Sequence, residues 1–175
     1  MVRIDPRVIR SCDIDPIERD RSCLFTGHRE IPSCDYERIS SEIARIVKEL
    51  EARGITHYYA GGALGFDMIA AISIANLKQY MPQITLTLAL PYNGHDKKWK
   101  SDDKKLFEKI IERADEVIYV GDRYYSGCML SRDRYMADRS TVCICYLTRP
   151  IGGTAYTVDY SIKKGLDIIN IAPEN

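Results

Sequence analysis

The sequence predicts an α/β chain: a three-layer Rossmann-like fold with a mostly parallel central sheet. Three observations carry this. Strand-like and helix-like segments alternate from about residue 22 to the end. The strand segments are near-continuous apolar runs, as expected of parallel strands covered on both faces. Two of them end in glycine turns, Gly61-Gly62-Ala63-Leu64-Gly65 and Ile151-Gly152-Gly153-Thr154, and each turn opens a helical pattern.

The elements follow in order. Residues 1–20 are polar and charged, hold Pro6 and Pro16, and show no period; they read as an extended N-terminal arm. Residues 21–175 read as a single domain. Ser22–Thr26 is the first strand and ends at Gly27-His28-Arg29. A helix over 35–52 repeats Ile39, Ile43, Ile46, Val47 and Leu50 at helical spacing, and Gly54 stops it. His57–Ala60 is the second strand. The helix over 66–80 is apolar on most sides, so it is expected to be largely buried. Strand 84–90 ends at Pro91. Helix 104–114 places Leu106, Ile110, Ile111 and Ala114 on one face. Strand 116–120, a short helix over 129–137 and strand 141–147 come next. A helix over 154–164 turns Ala155, Val158 and Ile162 inward, and strand 167–172 closes the chain. Right-handed crossovers then place a ligand crevice at the C-terminal ends of the strands.

The whole-chain numbers exclude several classes. The chain has 175 residues, enough to bury a core. Lys plus Arg equals Asp plus Glu at 25 each, which argues against a protein built mainly to coat nucleic acid. No apolar run approaches the roughly 20 residues that span a bilayer, and the first residues lack the apolar centre of a signal peptide. A cytoplasmic location is the expectation, with no membrane partner. Cys23, Cys143 and Cys145 fall in predicted strands and read as reduced structural thiols, with Cys143 and Cys145 on one sheet face. No metal-ligand spacing is present among the six cysteines and three histidines.

Four segments, far apart in sequence, converge on the crevice in this topology. The first strand delivers Thr26, Gly27, His28 and Arg29. The second delivers Gly61, Gly62 and Gly65, with Asp67 in the following helical turn. The short helix delivers Arg132, and the fifth strand delivers Gly152, Gly153 and Thr154. Glycine lets a ligand approach the main chain, and a helix N-terminus offers unpaired N–H groups to an anion. Each residue also has a plainer reading. The glycines would permit tight strand–helix packing, His28 would bond its own loop, Asp67 would sit on a helix dipole, and Arg132 would pair with Asp138 on a helix surface. Trp99, Tyr124 and Tyr125 lie on loops near the same rim, where they would stack on a base or cover the core edge. His57 reads as structural.

Thr26-Gly27-His28-Arg29, Gly61 through Asp67, Arg132 through Asp138 and Gly152 through Tyr156 together resemble the YpsA-like branch of the SLOG superfamily. That superfamily also holds the DNA-processing protein DprA and the LOG phosphoribohydrolases. The resemblance runs from about Cys23 to Ala172. It implies a Rossmann-like fold that binds nucleotides or nucleotide-derived molecules. The LOG pattern of Met, two residues, Arg, then Met four residues on is similar to Met129, Arg132 and Met136. The LOG Pro-Gly-Gly-x-Gly-Thr-x-x-Glu pattern is kept at Gly152 and Gly153, while Ile151 replaces the Pro and Ala155-Tyr156 replace the Gly-Thr. Asp159 falls at the position of the catalytic Glu. By this resemblance Arg132 and Asp159 would be the catalytic pair of an N-glycosidic hydrolase acting on nucleoside monophosphates.

The leading expectation is a binder of a nucleotide or nucleotide-derived small molecule, acting as a sensor or a weak enzyme. No cofactor is required by these residues; a nucleotide or an ADP-ribose-like molecule is the expected ligand, and homo-oligomerisation is left open. The first alternative is the LOG-like phosphoribohydrolase. The second is a DprA-like single-stranded DNA module, for which the dense lysines between Lys97 and Lys105 are the available basic cluster. Asp102 and Asp103 interrupt it, so a solvated helix face is the preferred reading and nucleic acid is a disfavoured partner.

Overall fold

Strand β1 (Ser22–Gly27) is buried on both faces along nearly its whole length, so it can only lie in the middle of a covered sheet. The computed structural model describes residues 14–173 and places it there. β2 (His57–Ala60), β3 (Thr85–Leu90) and β4 (Glu116–Tyr119) extend the sheet on one side of β1. β5 (Val142–Tyr146) and β6 (Asp167–Asn170) extend it on the other. The strand order is β4-β3-β2-β1-β5-β6, and every pairing is parallel. The register Cys23↔Tyr58 and Cys23↔Val142 aligns the C-terminal ends of β2, β1 and β5 at one edge.

Side chains alternate strictly across this sheet. Cys23, Phe25, Tyr58, Ala60, Leu86, Leu88, Val142 and Ile144 belong to one core, with residues of α2 (Tyr36–Ala52), α3 (Phe66–Leu77) and α4 (Ser101–Arg113). Leu24, Tyr59, Ala89, Cys143 and Cys145 belong to the other, with residues of α5 (Cys128–Asp138) and α6 (Gly153–Lys163). The result is the expected three-layer sandwich, with Cys143 and Cys145 on one face. The described cysteines are free thiols. Among the described residues no helix is long and apolar enough to cross a membrane.

Several expectations need correction. Residues 1–13 lie outside the described residues, but Pro16–Asp20 forms a short helix, α1, rather than extended chain. Asp15 caps it by accepting the Ile17 N–H at 2.9 Å, and Pro16 sits where a missing N–H costs nothing. Glu18 ties α1 to the sheet by accepting the Tyr59 hydroxyl at 3.0 Å. α4 begins at Ser101, three residues before the periodic apolar signal, because its first turn is polar and carries Asp102 and Asp103 at the positive end of the dipole. Its buried residues are Phe107 and Ile110, while Leu106 is exposed. On α6, Ile162 points out, and Thr154, Ala155, Thr157, Val158 and Ser161 point in. His57 is structural as expected, with its ring nitrogens 2.7 Å from the Thr85 hydroxyl and 3.1 Å from the Thr87 hydroxyl.

Candidate functional site

The chain leaves β1 through α2 toward β2, whereas β5 lies on the opposite flank of β1. That reversal is the topological switch point of an open α/β sheet, where ligands bind beyond the strand C-termini. A cleft of about 470 Å³ opens there. Thr26, Gly27, His28 and Arg29 line it from the end of β1, Asp67 from α3, Arg132 from α5, and Gly152, Gly153 and Thr154 from the start of α6. The four segments predicted to converge do converge.

The two glycine turns do different work, however. Gly61, Gly62 and Gly65 are not part of the cleft lining. A Cβ on Gly61 would overlap the Arg132 guanidinium, one on Gly62 would overlap Leu90, and one on Gly65 would overlap the main chain of Arg29. The N–H of Phe66, at the start of α3, already donates to the His28 carbonyl at 3.1 Å. Gly62 and Gly65 of the first turn therefore pack against Leu90 and the β1 loop, while Ala63 lines the cleft and Gly61 lines a small pocket beside it. The second turn is open. Gly152, at φ 100°, leads into α6 with no side-chain cap, and nothing lies within 4 Å of a Cβ built on Gly152 or Gly153. The first N–H groups of α6 have no intrahelical partner.

Arg132 organises the floor of the cleft. It is 5% exposed, so its charge needs partners. Its Nε donates to Asp133 Oδ1 at 2.6 Å, its Nη1 donates to the Gly61 carbonyl, and Asp67 Oδ2 lies 4.0 Å from Nη1. The surface pair with Asp138 is not formed; Asp138 instead accepts from Lys164 and Tyr160. Burial alone would lower the Arg132 pKa, but Asp133 and Asp67 outweigh it and hold the guanidinium above its ordinary value. Asp133 Oδ2 also lies 3.0 Å from the Thr157 hydroxyl, which joins α5 to α6. Asp67 is 5% exposed, and burial pushes its carboxyl up to about 6 against the pull of Arg132. Its Oδ2 accepts the Ala63 N–H at 3.4 Å. Its Oδ1 makes no hydrogen bond with a described residue.

His28 is a tether. Its Nε2 accepts the Thr148 N–H at 3.0 Å, which fixes the proton on Nδ1 and holds the β5–α6 loop to the end of β1. Burial and the charge of Arg149 keep its pKa below the ordinary value, so the ring is neutral near pH 7. Arg29 and Arg149 both line the cleft, and neither makes a hydrogen bond or ion pair with a described side chain.

Asp159 is corrected. It is exposed on α6 and absent from the cleft lining. Two residues beyond the inward Thr157 it is rotated about 200° around the helix. The Gly-Thr that opens the helix is Gly153-Thr154, and counted from there the acid position of the LOG pattern falls on Thr157. The carboxylates that line the cleft are Glu30, Asp67 and Asp133, of which Asp67 and Asp133 are buried. Asp133 was missed because its neighbour Arg132 carried the motif, and Arg149 because no pattern marks it.

A model of the YspA SLOG family matches residues 25–166. The chain belongs to the YpsA-like SLOG family. Its relatives include the SPbeta prophage-derived protein YoqJ of Bacillus subtilis, 33% identical over 130 residues, covering 67% of this chain and 74% of YoqJ. A UPF0398 protein of Oceanobacillus iheyensis is 25% identical over 142 residues, covering 78% of this chain and 77% of the relative. Among solved structures, DNA processing protein A of Streptococcus pneumoniae superposes with a TM-score of 0.64 at 17% identity over 90% of this chain. This SLOG chain spans 52% of that protein, and the likeness shows a shared fold.

Two outcomes are expected. Gly65→Ala, which strains a positive φ and strikes backbone, lowers unfolding free energy by roughly 2 to 4 kcal/mol, whereas Gly153→Ala changes it by less than about 1 kcal/mol; urea melts of the two variants check this. The Asp67 carboxyl carbon, followed by NMR, is expected to titrate with a midpoint of about 6. Because its folded value is raised, the stability Asp67 contributes is greatest below its unfolded value of about 3.9 and is lost as pH rises through about 6.

Proposed function

We propose that this SLOG protein binds a nucleotide or nucleotide-derived small molecule in the switch-point cleft, with a phosphate on the N-terminus of α6. The uncapped start of α6, opening into the cleft between Arg29 and Arg149, neither of which pairs with a described side chain, carries the reading. Unpaired N–H groups, a positive dipole end and two cations suit an anion. The cleft volume falls in the range of about 300 to 1,000 Å³ typical of small-molecule sites. Asp67 Oδ1 is placed to meet a ligand hydroxyl deeper in the cleft. The protein acts as a sensor of the bound molecule or as a weak enzyme upon it.

One observation favours hydrolysis as a second reading. Asp67 is a buried carboxyl poised near neutral pH beside Arg132, the combination general acid–base chemistry uses. N-glycosidic cleavage would then run through Asp67, with Asp159 a bystander.

Isothermal titration of the purified protein with nucleoside monophosphates tests the binding reading. At least one binds, and Gly153→Glu, which has room for its side chain but places a carboxylate at the anion site, weakens it more than tenfold while the thermal melt is retained. Equal affinity in a folded Gly153→Glu variant contradicts the α6 site. Released base in the same incubations, abolished by Asp67→Asn and kept in Asp159→Asn, marks hydrolysis.

A further inference from the structure

Two helices contribute facing parts of the cleft. Arg132 and Asp133 line it from α5, and Gly153 and Thr154 line it from α6. The spacing of α5 and α6 therefore sets where the free N–H groups of α6 stand over the charged floor. Two of the side-chain hydrogen bonds that join these helices lie off the cleft. Arg134 Nε donates to the Tyr156 hydroxyl at 2.6 Å, and the Tyr160 hydroxyl donates to Asp138 at 2.9 Å. None of these four residues lines the cleft. A third bond, from Thr157 to Asp133, is buried and reaches the lining itself.

Thr157 is 1% exposed and is not part of the lining. Its Oγ1 lies 2.9 Å from the Gly153 carbonyl and 3.0 Å from Asp133 Oδ2. A hydroxyl has one proton to give to these two acceptors. A bond to the Gly153 carbonyl alone would be ordinary helix back-bonding, as Ser161 on the same helix makes to the Thr157 carbonyl at 2.8 Å. The Asp133 carboxylate is charged, however, and is the stronger acceptor. Its other oxygen accepts the Arg132 Nε at 2.6 Å. A buried chain of bonds thus runs from the Gly61 carbonyl through Arg132 and Asp133 to Thr157. It ends about one helical turn after Gly153, where α6 starts.

We infer that Thr157 is a positioning residue for the anion at the start of α6. Its hydroxyl, held by Asp133, fixes the first turn of α6 against α5, so the Gly153 and Thr154 N–H groups keep one place relative to Arg132 and Asp67. Without that bond α6 remains a helix but loses its buried link to the floor, and its donors no longer meet the anion in register. The inference rests on the anion reading of the cleft and adds to it a residue that does not touch the ligand.

The test is calorimetric titration of the full chain with AMP, GMP, CMP and UMP, with a thermal melt of each variant. Thr157→Val keeps the shape and removes the hydroxyl, Thr157→Ser keeps the hydroxyl, and Ser161→Ala removes an ordinary back-bond from the same helix. Thr157→Val is expected to bind roughly tenfold more weakly than the wild type, while Thr157→Ser and Ser161→Ala bind as the wild type does. Wild-type affinity in a folded Thr157→Val, or an equal loss in Ser161→Ala, overturns the positioning role and leaves the binding reading standing. If Thr157→Val does not fold, Thr157→Ser decides: wild-type affinity upholds the role of the hydroxyl, and a comparable loss overturns it. Failure of all four nucleotides to bind the wild-type chain overturns both.

Discussion

The cleft depends on one buried cation. Arg132 is sealed among two carboxylates and a main-chain carbonyl, and each partner comes from a different element. Asp133 lies on the same helix, Asp67 on the crossover after β2, and Gly61 at the end of β2 itself. A guanidinium in that position cannot give up its charge, so the fold must supply partners around it. Removing it would strand Asp67 and Asp133, at a cost of about 3 to 5 kcal/mol by the usual penalty for half a buried ion pair. The same network that stabilises the switch point thus presents Asp67 to the cleft.

That network explains why two similar glycine turns have diverged. Gly61 lacks a side chain because Arg132 occupies the space, and Gly65 because the β1 loop does. At the start of α3 the Phe66 N–H is taken by the His28 carbonyl. Around Gly152 and Gly153 the space is empty and the donors are unclaimed. Of the two glycine turns, the first is packed against its neighbours and the second opens onto the cleft. His28 joins them, giving its carbonyl to α3 and its ring to the β5–α6 loop.

The architecture was legible because burial on both sheet faces leaves a clear trace: β1, β3 and β5 are buried at nearly every position and carry no charged residue to blur their limits. The convergence of Thr26 to Arg29, Asp67, Arg132 and Gly152 to Thr154 followed from topology alone. What stayed hidden depends on contacts across long sequence separations. Nothing local to Gly61 says that an arginine 71 residues away donates to its carbonyl. The placement of Asp159 by motif counting failed because a helix turns about 100° per residue, so a two-residue change in where the pattern starts exchanges the inward Thr157 for an outward acid. The start of α4 and the whole of α1 were missed because α1 is held by the Asp15 cap and the first turn of α4 is polar and charged, and neither carries an apolar period.

The central claim is that the start of α6, and not the start of α3, receives the anionic part of the ligand. Backbone amide shifts recorded by NMR during a titration with AMP address it residue by residue. The account predicts saturable shifts at Gly153, Thr154 and Ala155, with the Gly65 and Phe66 amides nearly unmoved. Dominant shifts at Gly65 and Phe66, with α6 silent, would contradict it.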